Sequence, residues 1–83
     1  MPEKRRFPHT AEALRTFFRQ KKVTDFAPLE AFLGLKPGYF RTMTSVNPAG
    51  RPSQDVLTRM TQYFGLKTLP AVIRRGYEVD NVG

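Results

Sequence analysis

In the stretch GLKPGYFRTMTS, residues 34 to 45, Tyr39, Phe40 and Met43 recur about one helical turn apart. If these three turn inward, helical phase sends Lys36, Arg41, Thr42 and Ser45 outward. A guanidinium such as that of Arg41 can donate two hydrogen bonds to the N7 and O6 pair of guanine, while short hydroxyl side chains can meet bases, a thymine methyl or phosphates. Tyr39 can pack its ring and still reach a phosphate with its hydroxyl. Asn47 and Arg51 follow in the loop VNPAGRPS, and Ser53 and Gln54 open the next segment, where a helix N-terminus offers unpaired amides to an anion. Lys4, Arg5 and Arg6, in a proline-flanked run, suit a flexible arm that follows a groove; a solubilising tail explains them equally well.

Other chemistry lacks its parts. The single histidine, His9, has no second imidazole or carboxylate cluster near it in sequence and reads as solvated. Ser45 and Ser53 have no base at a recognisable spacing, and the glycines follow no phosphate-loop pattern. Asp25 reads as a helix cap and Glu30 as a solvated carboxylate of a short helix. There are no cysteines, which removes disulfides and thiolate metal sites. These absences lead us to expect no catalysis, metal or cofactor.

Eighty-three residues make one small domain, and a compact helical bundle or a dimer is the economical way to stabilise it. Fourteen Lys plus Arg against seven Asp plus Glu give a formal charge of +7, a field attractive to polyanions. Basic composition also serves solubility, so the placement of the charges has to decide. The lack of cysteine and of an apolar N-terminal run fits a cytoplasmic protein, and no apolar stretch approaches a membrane span.

Five short helices must position these side chains, and we expect an all-α bundle. The first runs from a Thr10 cap with Ala11, Leu14, Phe17 and Phe18 inward, leaving Arg15, Arg19, Lys21 and Lys22 on a solvated face. The second follows Asp25, with Pro28 in its first turn and Leu29, Phe32 and Leu33 as its apolar stripe, and ends at Gly34. The third begins at Pro37, whose backbone angle is already helical. Ser53 caps the fourth, QDVLTRMTQYF, which Gly65 ends; Pro70 starts a fifth with Leu69, Val72, Ile73 and Tyr77 apolar. GYEVDNV gives only a weak hint of strand.

Two helices separated by a short turn after Gly34 have the shape of a helix-turn-helix, whose second helix lies in the major groove. From Leu14 to Leu66 the chain resembles the Cro/C1-type, or XRE, family of phage and bacterial repressors. LRTFFRQKKVT looks like the family's first helix with its basic exit, and PLEAFLGL like its second helix and turn. KPGYFRTMTS takes the place of the recognition helix. NPAGRPSQDVLTRMTQYFGL matches a recurrent loop ending Pro-Ser before a helix that closes aromatic-Gly-Leu. The sequence departs from the family at Glu30, where a small residue is usual and a one-residue shift of phase would supply Ala31, and at Phe26, where a glutamine is usual.

The resemblance implies a lambda-repressor-like domain that binds double-stranded DNA and regulates transcription, as a repressor, through a recognition helix near residues 37–45. Lys36, Arg41, Thr42 and Ser45 would read bases, and Tyr39, Asn47, Arg51, Ser53 and Gln54 would hold phosphates. One such helix reads only a few base pairs, so a homodimer on a palindromic operator is expected. The chain divides into a basic arm at 1–9, the helix-turn-helix domain at 10–66 and a C-terminal helix and tail at 67–83. Leu69, Val72, Ile73 and Tyr77 would form the dimer interface or else cover the monomer's own core. The alternative is a protein-interaction module with the same fold, such as an antitoxin or adaptor; RNA binding is disfavoured because the aromatics sit at core spacing.

Overall fold

The computed structural model describes residues 6–82, and Lys4 and Arg5 lie outside them. Five helices follow one another: α1 Pro8–Gln20, α2 Ala27–Leu33, α3 Tyr39–Met43, α4 Gln54–Tyr63 and α5 Ala71–Val82. The fold is an all-helical bundle, with no strand among the described residues. GYEVDNV, the one weak candidate for a strand, lies wholly within α5 and its last residue's end. No helix among the described residues is long and apolar enough to cross a membrane.

The core is built mostly from the residues whose spacing marked them, but Phe32, expected on the apolar stripe of α2, is 50% exposed. Leu14, Phe17 and Phe18 of α1 meet Leu29 and Leu33 of α2, Phe40 of α3, Leu57 and Met60 of α4 and Ile73 of α5. Aromatic rings dominate its centre, with Phe18 edge-on to Phe26 at 5.0 Å and to Phe40 at 5.4 Å. Such pairs add about 0.5–1.5 kcal/mol beyond the area they bury.

α1 packs along α5, and α2 against α4. The first pairing is close because Gly76 has no side chain: a Cβ there would stand 2.6 Å from the His9 carbonyl oxygen and 2.9 Å from the Ala13 Cβ. It is also locked by a carboxylate. Asp80, 5% exposed, accepts the amides of His9 and Thr10 and the hydroxyl of Thr10, so α5 supplies the cap of α1.

These contacts correct two expectations and bear on a third. α1 begins at Pro8, where a missing amide costs nothing, and Thr10 is a buried residue of its first turn instead of the cap. Pro8 and His9 therefore belong to the helix and not to an arm. Ile73 is wholly buried, and Leu69, Val72 and Tyr77 are half-buried against the same core. They cover the monomer's own core, one of the two options the sequence left open.

Candidate nucleic-acid interface

The stretch between α2 and α3 is folded by its two glycines and by Glu30. Gly34 ends α2 at φ 71°, a left-handed conformation that suits glycine. Lys36 to Tyr39 then form a turn closed by the Tyr39 amide donating to the Lys36 carbonyl at 3.1 Å. Pro37 occupies its second position and Gly38, at φ 85° and ψ 0°, its third, the pattern of a type II turn. Pro37 is therefore a turn residue, and α3 starts two residues later than expected.

Glu30 is the opposite of solvated. It is 5% exposed, with Oε1 accepting the Gly38 amide at 3.3 Å and Oε2 the Phe40 amide at 3.0 Å. A carboxylate on the orphan amides of a helix start is favourable both as a hydrogen-bond acceptor and toward the helix dipole. The phase of α2 is not shifted, since Ala31 faces solvent. Glu30 thus stands where a small residue was expected because it reaches past the helix crossing to hold α3.

With Phe40 wholly buried and Tyr39 and Met43 half-buried, α3 has one outward side. Lys36, Arg41, Thr42 and Ser45 are all exposed on or beside it. The Thr42 hydroxyl donates to the Gly38 carbonyl at 3.2 Å and the Ser45 hydroxyl to the Thr42 carbonyl at 2.8 Å. Their protons are engaged, so toward a ligand both oxygens are left as acceptors. Burial raises the Tyr39 pKa, which keeps its hydroxyl protonated and able to donate. A groove lined by Leu35, Lys36, Pro37, Tyr39, Thr42 and Met43 runs beside the turn.

The loop after α3 is fastened from α1. One guanidinium nitrogen of Arg15 donates to the carbonyls of Thr44 and Ser45 at 2.8 and 2.9 Å, so Arg15 is no idle member of a solvated face. Arg6 donates to the Asn47 carbonyl at 3.4 Å, and the Phe7 amide to that of Pro48 at 3.1 Å. Between these ties Val46 stands 82% exposed at the tip, flanked by exposed Ser45 and Asn47. The side chains of α3 and this tip form one surface with exposed Lys36 and Arg41 and two further guanidiniums, Arg6 and Arg15, at its margin.

Ser53 caps α4 by accepting the Val56 amide at 3.3 Å, and Gln54 is exposed beside it. Arg51 departs from its expected role. Its guanidinium lies 3.5 Å from the ring centroid of Tyr77 and 4.8 Å from that of Phe7, and it donates to the Tyr77 carbonyl at 3.0 Å and to the Asn81 side chain. It binds the loop to α5 and is not a free phosphate clamp. Asp25 caps the entry to α2 by accepting the Ala27 amide at 3.0 Å. The residues that sequence missed, Glu30, Arg15 and Asp80, act on partners outside their own helices, which no helical pattern announces.

Among the described residues no group of three or more His, Asp or Glu side chains is arranged to hold a metal ion. Exposed cations and one protonated phenol suit an acceptor-rich surface such as phosphates or guanine edges, and the two acceptor hydroxyl oxygens suit donors such as base amino groups. Compared with protein-family models, curated proteins and solved structures, the chain gave no match in any of the three.

Proposed function

We propose that this chain is a sequence-specific double-stranded DNA-binding protein, a transcriptional regulator of Cro/C1 type that acts as a repressor by occupying an operator as a homodimer. The observation that carries this reading is the α2–turn–α3 unit: Phe40 anchors α3 inward, Glu30 caps it, and Lys36 and Arg41 are left exposed with no carboxylate of the unit turned outward among them. In this reading α3 enters the major groove, Arg41 reads guanine, and Lys36, Thr42 and Ser45 contact neighbouring bases. Val46 supplies an apolar surface for a thymine methyl.

Phosphates on either side meet Tyr39, Asn47, Gln54 and the capped N-terminus of α4, with Arg6 and Arg15 strengthening the field around the loop. α2 contributes nothing to that contact. Its entry carries Asp25, and its exposed residues, Ala27, Pro28, Ala31 and Phe32, hold no cation.

Selection of bound duplexes from a random pool tests the reading. The expected product is a short motif repeated with two-fold symmetry about one helical turn apart, bound with an affinity that falls steeply with salt over roughly four to eight neutralised phosphates. Failure to enrich any motif, with a protein partner captured instead at low salt, would replace the reading by the antitoxin or adaptor class.

A further inference from the structure

α2 is turned inside out. Its one charged residue, Glu30, is buried, and the four residues it shows to solvent, Ala27, Pro28, Ala31 and Phe32, are all apolar. Phe32 is 50% exposed, and its ring lies 5.2 Å from that of Tyr63 on α4, itself 39% exposed. Aromatic pairs of this kind are the residues that dominate protein interfaces when a partner desolvates them.

We infer that this α2 and Tyr63 face is where two copies of the chain meet. The inference deepens the proposed function by locating its dimer contact, and rests on that reading for the expectation of two copies. Of the other candidates for the contact, Ile73 is wholly buried and Leu69, Val72 and Tyr77 turn part of their surface to the monomer's core. A chain of net charge +7 repels its own copies, so self-association needs a face where cations are few or matched by acids, and the exposed residues of α2 itself carry none.

Charges at the two ends of the face favour a second copy over other occupants. Asp25 lies just before α2, while Arg59 reaches its far end, donating to the Leu33 carbonyl at 3.3 Å. A two-fold axis perpendicular to α2 at its middle sets the two helices antiparallel in an isologous contact. The acid end of each then opposes the Arg59 end of the other, twice over. Phe32 of each copy, with Tyr63 beside it, then faces the exposed Ala27 and Pro28 of the other, so apolar surface lies between the charged ends, an arrangement common to specific interfaces.

Sedimentation equilibrium without DNA, over about 1 to 500 µM chain, reads the contact directly. The wild type is expected to form dimers, and Phe32→Glu to raise the dissociation constant at least about tenfold with its helical circular dichroism unchanged. Arg59→Glu, which sets acid against acid at both rims, should also weaken the dimer, and should do so more at low salt. Val79→Glu, on an exposed apolar side chain of α5, should leave it intact. A wild type that stays monomeric throughout, or a Phe32→Glu chain that dimerises like the wild type, overturns the inference. Duplex binding by the same samples separates the two readings: a dimer through this face that binds no duplex removes only the proposed function, and a monomer that binds duplex removes only the face.

Discussion

Thr10 and Asp80, 70 residues apart, meet twice at 2.6 Å: the Thr10 amide and the Thr10 hydroxyl both donate to Oδ2 of Asp80. The site is buried, so losing the carboxylate leaves donors of α1 without a partner and without water. Asp80→Ala is expected to lower the unfolding free energy by about 2 to 3 kcal/mol in urea titrations. Thr10→Val keeps the amide bond and should cost less, and the double variant should fall short of the sum because the two residues share one interaction.

Glu30 does for α3 what Asp80 does for α1. Glu30→Ala is expected to cost about 1 to 3 kcal/mol and to speed hydrogen exchange at the Phe40 amide more than at Leu57 or Met60. Glu30→Gln keeps one acceptor oxygen and should recover part of that loss. Equal exchange at Phe40 in the wild type and Glu30→Ala would remove Glu30 as the element that orders α3.

Gly76→Ala reverses the usual rule for a helix interior. Alanine ordinarily gains about 1 kcal/mol there, yet its Cβ would stand 2.6 Å from the His9 carbonyl oxygen. Forcing α1 and α5 apart should outweigh that gain, leaving the protein about 1 to 3 kcal/mol less stable in thermal unfolding. A raised melting temperature would show that the two helices can separate freely.

Under the proposed function, Arg41 serves recognition while Arg51 serves architecture. Arg41 is exposed, so Arg41→Ala should leave the melting temperature unchanged while losing about 1 to 3 kcal/mol on the selected duplex and little on random duplex. Arg51→Ala removes the stack between Phe7 and Tyr77, and should lower the melting temperature before any effect on DNA is considered. Equal losses for Arg41→Ala on both duplexes would sink its base-reading role.

Tyr39 predicts an alkaline effect. Burial raises its pKa in the folded state above the ordinary 10.0, so the folded protein disfavours the phenolate relative to the unfolded chain. The associated stability is fully present below the ordinary value and lost as pH rises through the folded value. Urea titrations on both sides of that window should show a smaller alkaline loss in Tyr39→Phe than in the wild type.

Much of the architecture was legible because apolar side chains had no alternative to the core. Leu14, Phe17 and Phe18, Leu29 and Leu33, Leu57 and Met60 carry the helical period openly, and Gly34, Ser53 and Gly65 mark ends by local chemistry. Asp80 and Glu30 were illegible for the opposite reason. A carboxylate on a short helix belongs in water unless amides elsewhere in the fold are aimed at it, and those of Thr10 and Phe40 are placed there only by tertiary packing. Pro37 and Gly38 misled because proline suits both a helix start and a type II turn; the left-handed Gly38 decides between them. The outward residues Lys36, Arg41, Thr42 and Ser45 followed from phase alone once Phe40 was inside.

The cap that α5 provides for α1 also sets a timetable. During synthesis α1 is the first of these helices to emerge and α5 the last, yet the acceptor for the first amides of α1 and the hydrogen-bond partners of Arg51 reside in α5. Helix-forming sequence is available early, but the bonds that hold its first turn must wait for Asp80 to clear the ribosome. Such long-range closure slows folding relative to a bundle joined only between neighbours. A chain that has not yet reached α5 therefore lacks the acceptor for the first turn of α1, whereas Glu30 and Arg15 can already hold α3 and the loop after it.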